Sequence, residues 1–140
     1  MIVIKPQVGV GAMLFNTNQE LLLILRKKNP DTGCWSLPGG KVELYETIEE
    51  ATIREIKEEI GVDIHLNELI CVTNHIQVEQ QVHFVCPTFF ATVLSDTPII
   101  KEPDKIADLQ WFSLDQLPSA LTYTTTNALK EWQNKKQSKD

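Results

Sequence analysis

Apolar and polar positions change their period several times along the 140-residue chain, and each change marks an element. Residues 8–15 read as a strand that Gly9 and Gly11 leave short of side chains. Asn16-Thr17-Asn18-Gln19 is a turn signal, and the aliphatic run 21–25 follows as a buried strand, so the two together predict a hairpin. Residues 29–33 and 37–40 read as irregular, being built on Asn-Pro-Asp and Pro-Gly-Gly. Residues 47–60 adopt the helical period, with Thr47-x-x-Glu50 as a capping box and Gly61 as the stop. Strands are predicted at 69–75 and 81–94, with Pro87 marking a bulge or an edge position in the second. Residues 96–105 carry Pro98 and Pro103 and read as a loop, 109–112 as a short strand, and 126–132 as a last helix burying Leu129 and Trp132. The polar tail 133–140 is expected to fray. Strands on both sides of a lone helix, followed by a second helix, predict a single α/β domain over 1–140 with a mixed sheet.

Composition narrows the class. Hydrophobic residues make up 42% and charged residues 23%, the balance of a soluble globular domain that needs no disulfide or metal to fold. The opening Met1-Ile2-Val3-Ile4-Lys5-Pro6 lacks the plan of a signal peptide, and no aliphatic run is long enough to span a bilayer. Cys34, Cys71 and Cys86 are odd in number with no C-x-x-C, which argues against a disulfide framework or zinc site and fits a reducing cytoplasm.

The net charge of −6 is unevenly spread. Residues 39–62 hold seven glutamates against three bases, a local −4, while the remainder sums to −2. An acidic chain lacks the positive footprint for a nucleic-acid polymer or an anionic membrane. On a helical wheel, Ile48, Ala51 and Thr52 begin a stripe that Glu55, Glu58 and Glu59 continue, and Ile53, Ile56 and Ile60 form a second apolar arc. Arg54 and Lys57, the bases at hand, fall mostly on the remaining face. Neighbouring carboxylates repel, and where partly buried they need a base, a proton or a cation. Oxygen ligands suit Mg²⁺ or Mn²⁺ rather than zinc. Pro38-Gly39-Gly40 just ahead lets backbone approach a ligand closely, so the segment suggests a metal cradle for a polyanion such as a pyrophosphate.

From Gly40 through Glu46 to Arg54-Glu55-Ile56-Lys57-Glu58-Glu59-Ile60-Gly61-Val62, the chain resembles the Nudix box, G-x5-E-x7-R-E-U-x-E-E-x-G-U, with every fixed position filled. The resemblance implies a Nudix-type α/β/α sandwich with a catalytic loop–helix, and a Mg²⁺-dependent hydrolase (Mn²⁺ being the alternative) of nucleoside diphosphates linked to another moiety. It implies Glu55 and Glu59 as principal metal ligands, Glu58 as a further one, and the Gly40 carbonyl beside them. Glu55 or an acid from a later loop would orient or deprotonate the attacking water, while Glu46 and Arg54 would pair to hold the loop against the helix.

The stretches Gly9-Val10-Gly11, Trp35-Ser36-Leu37-Pro38-Gly39-Gly40 and Glu102-Pro103-Asp104-Lys105, with Trp111, look like the MutT-related nucleoside-triphosphate hydrolases. That likeness implies cleavage of nucleoside or deoxynucleoside triphosphates to monophosphate and pyrophosphate, oxidised purines included. Substrate contacts are expected from Trp35, from Trp111 by stacking on the base (end-of-strand core being the equal alternative), from Arg26 at the phosphates and from Asn74 at a base edge. Glu102 and Asp104 are candidates for an extra acid, whereas His75 and His83 read as packed side chains. Rival readings are another diphosphate substrate, namely a nucleotide sugar, ADP-ribose or a prenyl diphosphate, and a nucleotide-sensing module. Family habit implies a homodimer.

Overall fold

The computed structural model describes residues 5–95 and 97–138. Residues 1–4, Asp96 of the expected 96–105 loop, and Lys139 and Asp140 of the expected tail lie outside the described residues. The elements are β1 (Gln7–Leu14), β2 (Leu21–Arg26), β3 (Trp35–Ser36), β4 (Gly39–Lys41), α1 (Ile48–Ile60), β5 (Asp63–Gln77), β6 (Val82–Ser95), β7 (Ile106–Phe112) and α2 (Tyr123–Ser138). They build two sheets. One is mixed, in the order β4-β1-β6-β5, with β1 parallel to β6 and the other pairs antiparallel. The second is antiparallel, in the order β3-β2-β7.

The expected β1–β2 hairpin is absent: the two strands lie in different sheets and, among the described residues, pair only through the isolated bridge Phe15–Leu21. Burial on both faces explains why. Ala12, Leu14, Leu22 and Ile24 pack with Ile56 and Ile60 of α1, while Met13, Leu21 and Leu23 pack with Ala128 and Leu129 of α2. A strand apolar on both faces needs a layer on each side, so the continuous run in β2 sits in the middle of a sandwich. The result is the α/β/α arrangement, with a helix over each side of the sheets.

Pro87 lies neither at an edge nor at a bulge. It sits inside the central strand β6 opposite Val72, and the ladder to β1 passes over Cys86 and Pro87 before resuming in register at Gly11–Thr88. The missing proline N–H falls in that gap. The register shifts lie elsewhere in the β5–β6 ladder, at Asp63/Ile64, Leu66/Glu68 and Leu69/Cys71. Gly39 and Gly40, within the 37–40 stretch expected to be irregular, pair with Lys41 as a strand against Gly9–Gly11, because Gly39 meets Gly11 and the backbones come very close.

α1 begins and ends as its sequence requires: Thr47 caps it, the Glu50 side chain returns the bond, and Gly61 closes it at φ 77°. Ile53 departs from the predicted arc and is 41% exposed, while Ile56 and Ile60 are fully buried. α2 runs through Ser138, past the onset of the expected fraying. Lys136 lies over the Trp132 ring, and Lys135 Nζ donates to the Leu69 carbonyl at 2.9 Å. Among the described residues, no helix is long and apolar enough to cross a membrane.

Candidate active site

Strand β4 and helix α1 meet at the acidic segment. The Gly39 amide donates to Glu59 Oε1 at 2.8 Å, and the Lys41 amide donates to Glu55 Oε2 at 3.0 Å. Between them, the Glu55 carboxylate fills the place where a side chain on Gly40 would begin. Two glycines therefore bring backbone against two carboxylates presented one helical turn apart.

Arg54 ties the loop to the helix. Its Nε and Nη2 grip both oxygens of Glu46 at 2.6 and 2.9 Å, the expected pair, and Nη2 also donates to the Lys41 carbonyl at 3.0 Å. Its Nη1 reaches Glu55 Oε1 at 2.9 Å and Glu58 Oε2 at 3.1 Å. The expectation that Arg54 points away from the carboxylates is thus corrected: a long side chain at this position reaches its neighbours at i+1 and i+4 while still spanning to the loop. Lys57 does point away, pairing with Asp63 at 3.3 Å.

Charge follows geometry. The hydrogen bond from Arg54, with the Glu43 backbone, holds Glu46 down to about 2. Glu55 is raised by burial and by its bond with Glu58, against the pull of Arg54. Glu59, 8% exposed, is pushed up to about 8, first by burial, with Glu55 and Glu102 adding to it and the Gly39 amide opposing. Among the described residues, no three acidic, histidine or cysteine side chains already converge in ligating geometry, since Arg54 and two amides hold the carboxylates. The donor chemistry nevertheless fits a hard divalent cation. All ligands on offer are oxygens, and a buried carboxylate with one amide bond needs a proton or a cation to stay there.

That need has a pH signature. Glu59 is raised from 4.5 to about 8, so in metal-free protein its contribution to stability is complete below about 4.5 and is lost as pH rises through 8. Metal-free protein is expected to melt lower at pH 8.5 than at pH 6 by several degrees more than Glu59→Gln does. Mg²⁺ binding near pH 7 should release protons, read by calorimetry in buffers of unlike ionisation enthalpy. A binding heat independent of the buffer contradicts this assignment.

The carboxylates open onto a cleft of about 730 Å³ between the two sheets, within the range of small-molecule sites. Arg26 and Glu102 line it. Arg26 Nε donates to the Pro30 carbonyl at 2.8 Å, and its charge is felt at Glu59. Asp104 is not part of the lining; it is 65% exposed and pairs with Lys28 at 3.5 Å. Three expected substrate contacts lie elsewhere. Trp35 packs edge-on to Phe112 at 4.9 Å, Trp111 packs against the α1-side core, and Asn74 is exposed on the outer face of β5. The neighbouring His75 faces the cleft instead, together with Ser36, Phe84, Cys86 and Thr88. Strand alternation is the signal that separates Asn74 from His75, but it needs the pairing with β6 to say which parity faces in.

A family model described as NUDIX domain matches residues 5–133. An ADP-ribose pyrophosphatase of Methanocaldococcus jannaschii is 34% identical over 134 residues, covering 94% of this chain and 77% of that protein. A Bacillus subtilis protein provisionally named 8-oxo-dGTP diphosphatase is 30% identical over 126 residues, covering 90% of this chain and 79% of that one. The crystal structure of a MutT NUDIX hydrolase from Burkholderia pseudomallei superposes with a TM-score of 0.83 at 44% identity, covering 91% of this chain and 98% of that one.

Proposed function

The chain belongs to the NUDIX domain family and is a hydrolase of diphosphate-containing substrates, and from that premise we propose that it cleaves nucleoside or deoxynucleoside triphosphates to the monophosphate and pyrophosphate with Mg²⁺. One observation carries the reading: a single cleft is lined both by the α1 carboxylates, suited to cation-bridged phosphates, and by Phe84, Cys86 and His75. The 44% identity to a MutT NUDIX hydrolase supports it.

Bound divalent cations lower the pKa of coordinated water and neutralise charge that builds on phosphate oxygens. Glu55, Glu58 and Glu59, with the Gly40 carbonyl, would hold them. Arg54 keeps two of these carboxylates in register with the loop by bonding Glu55, Glu58 and the Lys41 carbonyl at once. Glu55 or Glu102, a cleft acid whose charge is felt at Glu59, would accept the proton of the attacking water at its carboxylate. Arg26, in the same cleft, would contact the phosphates. The three unpaired cysteines fit a cytoplasmic setting.

A second reading, hydrolysis of ADP-ribose, is favoured by the 34% identical relative of that name. A panel of triphosphates (8-oxo-dGTP among them), ADP-ribose, a nucleotide sugar and a prenyl diphosphate, each incubated with Mg²⁺ and resolved by ion-exchange chromatography, separates the two. Monophosphate and pyrophosphate are the expected products. AMP and ribose 5-phosphate from ADP-ribose, with triphosphates untouched, supports the second reading. Nucleotide binding without turnover would make the domain a sensor.

A further inference from the structure

In the cleft lining, two buried side chains each leave one polar atom without a hydrogen bond. Ser36 is 6% exposed and His75 is 7% exposed, and neither Ser36 Oγ nor His75 Nε2 has a hydrogen-bond partner among the described residues. Their surroundings make this unusual. Thr122 and Thr125, equally buried on the same cleft wall, satisfy one another at 2.7 Å, and Thr125 also accepts from the Leu37 amide at 3.0 Å. Thr88 Oγ1 is likewise without a hydrogen-bond partner by distance and angle, but the Cys71 thiol beside it is influenced by that hydroxyl, so it is set aside. An unpaired buried polar atom costs stability on the order of 1–3 kcal/mol, so a folded protein retains one where water or a ligand completes it, and in a substrate cleft the ligand takes the place of that water.

The two orphans come from different sheets. Ser36 lies on β3 opposite Ile24, and His75 lies on β5 opposite Phe84. Both line the same cleft as Gly9, Phe84 and the α1 carboxylates. A Cβ on Gly9 would touch the Cys86 sulfur at 3.5 Å and the edge of the Phe84 ring at 3.6 Å, so the glycine leaves that ring edge bare, while Lys41 Nζ lies over the ring 5.8 Å from its centroid. A planar heterocycle with donors and acceptors along its edge has those requirements.

We propose that Ser36 Oγ and His75 Nε2 read the edge of the nucleobase, with Phe84 bordering its ring. This rests on the reading of the substrate as a nucleotide, and it deepens that reading by naming the groups that set base preference. It does not depend on which phosphate bond is cleaved.

The test measures binding of the four nucleoside monophosphates, of 8-oxo-dGMP and of ribose 5-phosphate to wild type, Ser36→Ala and His75→Phe by calorimetry, with melting temperatures recorded alongside. At least one monophosphate should bind wild type more tightly than ribose 5-phosphate. Each variant should lose roughly 10- to 100-fold in affinity for that base, with ribose 5-phosphate unchanged. Because each substitution removes an unsatisfied buried group, Ser36→Ala should melt no lower than wild type. A base preference unchanged in both variants, or an equal loss across all bases and ribose 5-phosphate, overturns the proposal; so does wild type that binds no monophosphate better than ribose 5-phosphate. Turnover of ADP-ribose alone would sink the triphosphate reading while leaving this one standing, since ADP-ribose also carries a base.

Discussion

Glu59→Gln is expected to lower kcat by more than ~100-fold, beyond the range for loss of a group that only supports a metal ligand. The fold should survive, because glutamine keeps an oxygen for the Gly39 amide and removes a carboxylate that burial already raises to about 8. In metal-free protein at pH 8.5 the variant should melt at or above wild type, since the ionised carboxylate is what burial penalises. Activity within a few-fold of wild type would show that Glu59 serves packing alone. A lower melting temperature with activity lost in proportion would show that the substitution damages the fold rather than the chemistry.

The adjacent glycines should fail in opposite ways. A Cβ on Gly39 would collide with the carbonyl oxygen of Val10 and lie 2.8 Å from Gly11 Cα, all of it paired backbone that cannot move aside. Gly39→Ala should cost about 3 kcal/mol or more in urea unfolding, the upper range for overpacking. A Cβ on Gly40 meets only the Glu55 carboxylate, the end of a flexible side chain. Gly40→Ala should therefore fold, with a far smaller stability loss, yet displace Glu55 from the Lys41 amide and reduce turnover to near background. Equal destabilisation by the two would contradict this account of how β4 meets α1.

What could be read in advance was what is local. The capping box at Thr47 and Glu50, the stop at Gly61 and the spacing from Gly40 to Glu59 all lie within one short segment, so α1 and its carboxylates were legible before any tertiary contact. The pairing of Glu46 with Arg54 came from the resemblance and stands in the structure, but the reach of the same guanidinium to Glu55 and Glu58 depends on a side-chain conformation that no spacing specifies. Errors arose where a distant strand decides. β1 and β2 look like a hairpin from their turn, yet each is buried on two faces and belongs to a different sheet. Asn74 and His75 differ by one position, and only the register with Phe84 and Cys86 decides which faces the cleft. Trp35, expected at the substrate, packs against the core from β3, and Trp111, which could equally stack on a base or close the core, packs against the core from β7.

The central claim is that the carboxylates on α1 act through a divalent cation. Its most direct test is the Mg²⁺ dependence of turnover for the nucleotide cleaved fastest, from excess chelator to saturating metal, in wild type and Glu59→Gln. No turnover in chelator is expected, with a saturable rise in wild type and almost none in the variant at the same concentrations. Full turnover in chelator, or the same Mg²⁺ curve for both proteins, would contradict it.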